Sequence, residues 1–285
     1  MKKIYEGKVR DVYDLRNGKL ILDATNRLSA FDILLADEIP DKGEVLNRLS
    51  YHHMQKAGRM GVKTHAIQMI GPSETLVHAL KMLPVEVIAR DYMFGSMHER
   101  YQEGERQFGS VRLPDGLALA ERLPETVIEF TTKREKGDRP LSYKEVVEGG
   151  YLTSRRLEEA VNLGSRIHRM VSEGARLGGI IVADEKMEFG LNSEIHDGLV
   201  LGDELGTPDS SRFWEEALYR VGISPPSYDK QFVRDFLLEQ RGWKNKAVRP
   251  EAGTRMAEPI LTPEIVDATR RRYISSYEKI TGMSF

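Results

Sequence analysis

The sequence holds no cysteine among its 285 residues, which excludes disulfides, thiolate metal centres and cysteine nucleophiles. It has no apolar run near the roughly 18 residues that a membrane-spanning helix needs. Its opening, MKKIYEGKVR, has the basic start of a secretory signal with no apolar stretch behind it. Excess charge is also lacking: 42 Lys and Arg face 44 Asp and Glu, a formal net charge of -2, so recognition of nucleic acid through bulk charge is not expected. There is no internal repeat and no low-complexity tract. The 7 histidines show no metal-ligand spacing, and neither a Gly-x-Ser-x-Gly elbow nor a P-loop occurs, which disfavours metal and serine hydrolases. What is present is a chain 40% hydrophobic and 30% charged, enough for a real core and too apolar for wholesale disorder. The expectation is a soluble, cytoplasmic protein without nucleic-acid or membrane partners.

Strands dominate the first 40 residues. Val9 to Leu15 and Lys19 to Leu22 read as a hairpin across Asn17-Gly18, a dipeptide that tolerates positive φ. Glu44 to Ala57 has helical spacing at Val45, Leu46, Leu49 and Met54, with Gly58 and Gly61 to stop it. A strand from Val85 to Ala89 opens a second region, and Glu103 to Gly116 reads as loop or exposed hairpin. Thr153 to Leu177 is the longest predicted helix, with Leu157, Ala160, Val161, Ile167, Met170, Val171 and Ala175 on one face and Gly178-Gly179 at its end. Ile180 to Leu205 reads as strands and turns. The last helix starts at Thr262-Pro263-Glu264. Strands early and centrally, with helices between, give an α+β class.

The chemistry concentrates in Asp184-Glu185-Lys186-Met187-Glu188-Phe189-Gly190. On a strand, Asp184, Lys186 and Glu188 share one face and Met187 and Phe189 the other. A following hairpin would return Leu199-Gly202-Asp203-Glu204 alongside, bringing Asp203 near Glu188. Two carboxylates and a lysine make a hard-oxygen site suited to Mg²⁺ and polyphosphate, although the same pattern also fits a solvated hairpin face with salt-bridged charges. Gly7-Lys8 at a strand start could approach a phosphate, or be an ordinary edge strand. Glu86 and Arg90 share a face of the Val85 strand, which leads into Met93-Phe94-Gly95-Ser96, a reasonable anion cradle. Thr207 to Trp214 reads as a capped helix start. His52-His53 and His168 fall on predicted helices, at the surface or core edge.

Together these strings resemble the SAICAR synthetase (phosphoribosylaminoimidazole-succinocarboxamide synthase) family over nearly the whole chain. The matching segments are GKVRDVY from Gly7, RLSAFD from Arg27, KGEVLN from Lys42, LPVEVIARDYMFGS from Leu83, VADEKMEFG from Val182, GDELGTPDSSRFW from Gly202 and YDKQFVRDFL from Tyr228. The resemblance implies an α+β fold of two lobes, a smaller N-terminal sheet lobe (1–82) and a larger lobe with C-terminal helices (83–285), with ATP between them. It implies an ATP-dependent ligase that joins L-aspartate to the carboxylate of carboxyaminoimidazole ribonucleotide through an acyl phosphate. By the same resemblance, Lys8, Lys133 and Lys186 attend the ATP phosphates, Glu188 and Asp203 hold Mg²⁺, Arg90, Ser96 and Arg212 grip the 5′-phosphate of the nucleotide substrate, and Asp184 lies near substrate or a second metal. Lys186, Glu188 and Asp184 are thus the expected catalytic group. The chain departs from the family's common pattern at Asn26, where Asp is usual, and at Gly137-Asp138, where His-Asp is usual; both are expected at the cleft. A small-molecule kinase, using the same parts on a hydroxyl, is the alternative enzyme class, and a non-catalytic nucleotide-binding module the third reading.

Overall fold

Strands β1 (Lys2–Glu6), β2 (Arg10–Asp14) and β3 (Lys19–Ala24) follow one another as antiparallel hairpins in the computed structural model, which describes residues 1–133 and 138–285. Next come β4 (Arg27–Ala30) and β5 (Ile33–Glu38), a hairpin of their own, then α1 (Lys42–Arg59), β6 (Ala66–Met69) and β7 (Glu74–His78). The first sheet has the order β1-β2-β3-β7-β6. Its β2–β3 turn is longer than Asn17-Gly18 alone predicts. Positive φ falls on Arg16 and Gly18, and the Leu15 N–H donates to the Lys19 carbonyl at 3.2 Å. Helix α1 buries Val45, Leu46, Leu49 and Met54 as the spacing requires, but it runs through Gly58 and is capped at Met60.

The second sheet begins with β8 (Lys81–Tyr92), followed by α2 (Ser96–Gln102), the small hairpin β9 (Gln107–Phe108) and β10 (Val111–Arg112), β11 (Arg122–Thr132) and β12 (Pro140–Leu141). Then come α3 (Tyr143–Glu148), α4 (Ser154–Leu177), β13 (Ile180–Asn192), β14 (His196–Gly202), β15 (Ser211–Glu215), α5 (Gln231–Gln240) and α6 (Pro263–Thr281). The order is β12-β11-β8-β13-β14, with β15 also on β13. Strand β8 starts earlier than predicted and carries Pro84 internally. Pro84 is tolerated because the pairing with β13 shifts register between Glu188 and Gly190, where a missing N–H costs little. The β9–β10 hairpin is not simply exposed, since Phe108 and Val111 are buried.

Two features of β13 position the site. One edge pairs with β8; the other is shared, by β15 along Ile180–Glu185 and by β14 along Glu188–Asn192. The chain joining β14 to β15 therefore arches over the middle of β13, where the Lys186 N–H donates to the Ser210 carbonyl at 2.9 Å. The second feature is a bulge. Val182 stands opposite Phe213 and Asp184 opposite Arg212, so Ala183 is the extra residue. Ile180 and Val182 enter the core beside α4; beyond the bulge the parity flips and Met187 and Phe189 enter it instead. Met187 is fully buried, which contributes about 1.5–3 kcal/mol. Asp184, Lys186 and Glu188 are thereby turned to the opposite face.

Helix α4 starts where predicted, with the Thr153 hydroxyl accepting from the Arg156 N–H, and its buried stripe of Ala160, Ile167, Val171 and Ala175 covers the sheet. A separate core joins Leu28, Ile33 and Leu35 of the β4–β5 hairpin to Val233 and Leu237 of α5 and to Trp243. The predicted helix start at Thr207 is instead a turn, closed by Thr207 and Ser210, that feeds β15.

Candidate active site

A cleft of about 450 Å³ opens on the polar face of the second sheet. Strand pairing sets its floor: Asp184 lies opposite Arg90, Lys186 opposite Ile88, and Glu188 opposite Glu86. Arg90 is buried, donating from Nε to Glu129 at 2.8 Å and from Nη1 to Asp184 at 2.7 Å, with the Ser96 hydroxyl 3.4 Å from Nη2. Arg212, directly across the bulge from Asp184, donates to the same carboxylate and lies 5.5 Å from the Phe94 ring centre. Gly95 makes this approach possible. Its φ is +60°, and a Cβ there would come within 2.6 Å of the Arg212 guanidinium. Burial alone would raise the Asp184 carboxyl, but Arg212 and Arg90 hold it below the ordinary carboxylate range. The predicted trio is thus brought together, Arg90 and Arg212 on one ionised aspartate and Ser96 on Arg90.

Lys186 and Glu86 also line the cleft; Glu188, Asp203 and Lys8, expected there, are not among its lining residues and belong to a mesh of lysines and carboxylates that continues from Lys186. The Lys186 ammonium donates to Glu86 at 2.7 Å and to Glu188 at 3.1 Å, and Lys133 donates to the other Glu188 oxygen. Burial pulls Lys186 down, yet Glu86 and Asp203 hold it above its ordinary value. Glu188 pairs in register with Gly202, so Asp203 is one residue beyond, at a left-handed φ of 54°. Arg10 ion-pairs with Asp203 and, at 3.2 Å, with Glu204. Against the effect of burial, Arg10, Lys186 and Lys133 bring the Asp203 carboxyl down to about 2. Among the described residues no group of three or more His, Cys, Asp and Glu is arranged to hold a metal. The chemistry of the donor set still fits a hard divalent ion bound with phosphate oxygens: Glu188 of β13 and Asp203, one residue past β14, are both carboxylates, each paired with a cation. Lys8 sits at the β1–β2 hairpin tip and donates to Asp32 at 2.6 Å. Gly7 shapes that tip, since a Cβ there would lie 2.6 Å from the Arg10 carbonyl oxygen.

A family model described as SAICAR synthetase matches residues 3–250. The chain belongs to the SAICAR synthetase family. A phosphoribosylaminoimidazole-succinocarboxamide synthase of Corynebacterium ammoniagenes is 38% identical over 292 residues, covering 99% of this chain and 95% of that protein. The solved SAICAR-synthase from Saccharomyces cerevisiae, complexed with SAICAR, superposes with a TM-score of 0.86 at 30% identity, covering 100% of this chain and 96% of that one. A type-2 SAICAR synthetase solved in complex with ADP shares the fold, with a TM-score of 0.73 at 24% identity over 99% and 98% of the two chains. Family membership makes the chain an ATP-dependent ligase of purine biosynthesis. Among the described residues no helix is long and apolar enough to cross a membrane.

Several placements differ from expectation. Asn26 does not face the cleft: its side-chain oxygen accepts the Gly43 N–H at 3.0 Å and secures the start of α1. An amide oxygen serves that bond as a carboxylate would. Gly137 lies outside the described residues, while Asp138 lines the cleft, its carboxyl raised by burial and by Glu86 and Asp32. His53 and His168, expected at the surface or core edge, are each 1% exposed. Burial drives His53 down to about 3, so it is neutral.

Sequence reasoning missed four groups. Glu129 joins Arg90 to Arg100. Arg10 compensates Asp203, although it stands inside the string read for Lys8. Asp32, partner of Lys8, is half of a two-residue turn in which Phe31 and Asp32 both have positive φ, 53° and 62°, a strain that no glycine announced. Lastly, Asp209 gathers Lys42 at 2.9 Å, Lys230 at 3.3 Å and the Tyr273 hydroxyl at 2.7 Å from three distant segments. Lys42, inside KGEVLN, has no exposure in the structure, and nothing in the sequence signals that burial.

Proposed function

We propose that the chain joins L-aspartate to the carboxylate of carboxyaminoimidazole ribonucleotide, forming SAICAR, ADP and phosphate, with residues 1–82 and 83–285 as the lobes around ATP. A carboxylate is a poor acyl donor because its leaving group is oxide. Transfer of the ATP γ-phosphoryl group to a carboxylate oxygen gives an acyl phosphate and ADP. The aspartate amine then attacks the carbonyl carbon, phosphate departs, and the nitrogen loses a proton. Both steps depend on alignment and on neutralising phosphate charge, without an enzyme nucleophile.

The residues divide this work. Lys186 and Lys133 exchange their carboxylate partners for phosphate oxygens, and Lys8 reaches in from the hairpin tip. Glu188 and Asp203 would hold Mg²⁺, which would supply neutralisation of the transferring phosphoryl group. Arg90, Ser96 and Arg212 take the 5′-phosphate, and Asp184 keeps both guanidiniums aimed at it. The carrying observation is the convergence of Arg90 and Arg212 on Asp184, with Ser96 on Arg90, in a cleft whose lining extends to Lys186, the partner of Glu188. Incubation of the purified chain with ATP, Mg²⁺ and the carboxylated nucleotide should release ADP only when aspartate is added. ADP release indifferent to aspartate, with a phosphorylated product, would establish the kinase alternative.

A further inference from the structure

The reverse side of the Arg90–Asp184 pair holds a second charged group that neither the fold's core nor the cleft accounts for. Arg90 is followed on β8 by Asp91, and Asp184 is followed on β13 by Glu185. Strand alternation sends these two neighbours to the α4 side of the sheet. There His168 of α4 stands between them, Nε2 at 3.4 Å from Asp91 and Nδ1 at 3.4 Å from Glu185. Glu185 has no exposure and His168 only 1%, in a layer otherwise made of Val87, Ile167, Val171 and Met187.

A buried carboxylate among aliphatic side chains costs several kcal/mol unless it is compensated. Glu185 is on this side only because the bulge at Ala183 has turned Asp184 to the cleft. The same geometric event therefore creates the cleft aspartate and the buried glutamate, and His168 answers the second.

We propose that His168 is a positioning residue for the nucleotide-substrate grip: as an imidazolium it ties Asp91 to Glu185 from behind and so fixes β8 against β13 at the Arg90–Asp184 pair. Burial lowers its proton affinity, but Asp91 and Glu185 together carry it to about 9. The charged groups around it are Asp91 of β8, Glu185 of β13 and, through the strand, Asp184. Arg122 of β11 acts on Asp91, and Ser172 lies one turn along α4 at 3.5 Å; burial holds the Glu185 carboxyl above its ordinary value against the pull of His168, and neither of its oxygens has a hydrogen-bond partner among the described residues. Since the folded pKa lies above the ordinary histidine value, the clamp is complete below about 6.5 and is lost as pH rises through about 9.

This inference rests on the ligase reading, and the test separates the two. KM for the carboxylated nucleotide and kcat are measured from pH 6 to 10 on the wild-type chain, His168→Gln and Asp91→Asn, alongside thermal melts. Wild-type ligation at pH 7 establishes the reading itself. The wild-type KM should then rise as pH passes about 9. His168→Gln should show a KM raised about tenfold at every pH, without that inflection, and with kcat within about twofold. Asp91 is partly exposed, so Asp91→Asn should fold even where His168→Gln does not. It should show at pH 6 a KM between those of the wild type and His168→Gln, and the inflection about one pH unit lower, having lost one counter-charge. A wild-type inflection that Asp91→Asn leaves in place, or a His168→Gln variant with wild-type KM throughout, overturns the proposal.

Discussion

At the Arg90 end of the cleft, each cation is fixed by carboxylates of the sheet: Arg90 by Glu129 and Asp184, and Arg212 by Asp184, with the Phe94 ring just past β8 beneath its guanidinium. At the Lys186 end, the cations belong partly to loops. Lys133 lies past the last residue of β11, and Lys8 on a hairpin tip pairs with an aspartate that is itself 42% exposed. One end is a rigid receptor; the other is a set of charges whose present partners can be traded. A ligase that must hold one substrate still while phosphate charge moves needs both. The difference predicts that substitutions at the first end act on KM and those at the second on kcat.

Substitutions at six positions test that division. Met187→Asp should act on neither end but on the floor beneath both, placing a charge in the α4 core at a cost of several kcal/mol. Loss of soluble, cooperatively melting protein is expected, and a folded, active variant would show that the faces of β13 are reversed. Lys186→Met and Glu188→Gln should lower kcat by about 10² or more with the melt nearly unchanged, and near-normal turnover in either removes that residue from the chemistry. Arg90→Ala and Arg212→Ala should each lose a charge-assisted contact of roughly 1.5–3 kcal/mol. That is seen as a KM for the nucleotide raised about tenfold or more with kcat little affected; Arg212→Lys should restore little, lacking the planar fork. Should kcat fall instead, the two ends are not separable. Lys8→Ala should have the smallest effect, lowering kcat by no more than about fivefold, because an exposed ion pair contributes little. A loss as large as that of Lys186 would mean that the tip closes fully on the nucleotide.

Much of this was legible in the sequence because alternation along a strand is a strong constraint. Once Met187 and Phe189 are placed in the core, Asp184, Lys186 and Glu188 have only one face left, and the structure has them there. The α4 stripe and its Thr153 cap were legible for the same reason, a period that polar and apolar residues both obey. What escaped depends on non-local geometry. The bulge at Ala183 leaves no composition signal, so the buried Glu185 and the role of His168 could not be seen. Thr207-Pro208-Asp209 has the chemistry of a helix cap, but the unfilled edge of β13 captures the next residues as β15, a tertiary competition that local rules do not weigh. Asn26 seemed a cleft residue by resemblance, yet its single bond to the Gly43 N–H makes it a peg for α1.

The joint at Asp209 has a consequence for the order in which the chain can be made. Lys42 has no exposure, and its counter-ion arrives 167 positions later, with Tyr273 of the final helix completing the set. During synthesis the amino-terminal sheet can pair its strands early. It has no means of enclosing that ammonium until almost the entire polypeptide has left the ribosome. Closure of the first helix is therefore deferred to the end of translation, and a chain stopped short of Tyr273 leaves its opening third unsealed.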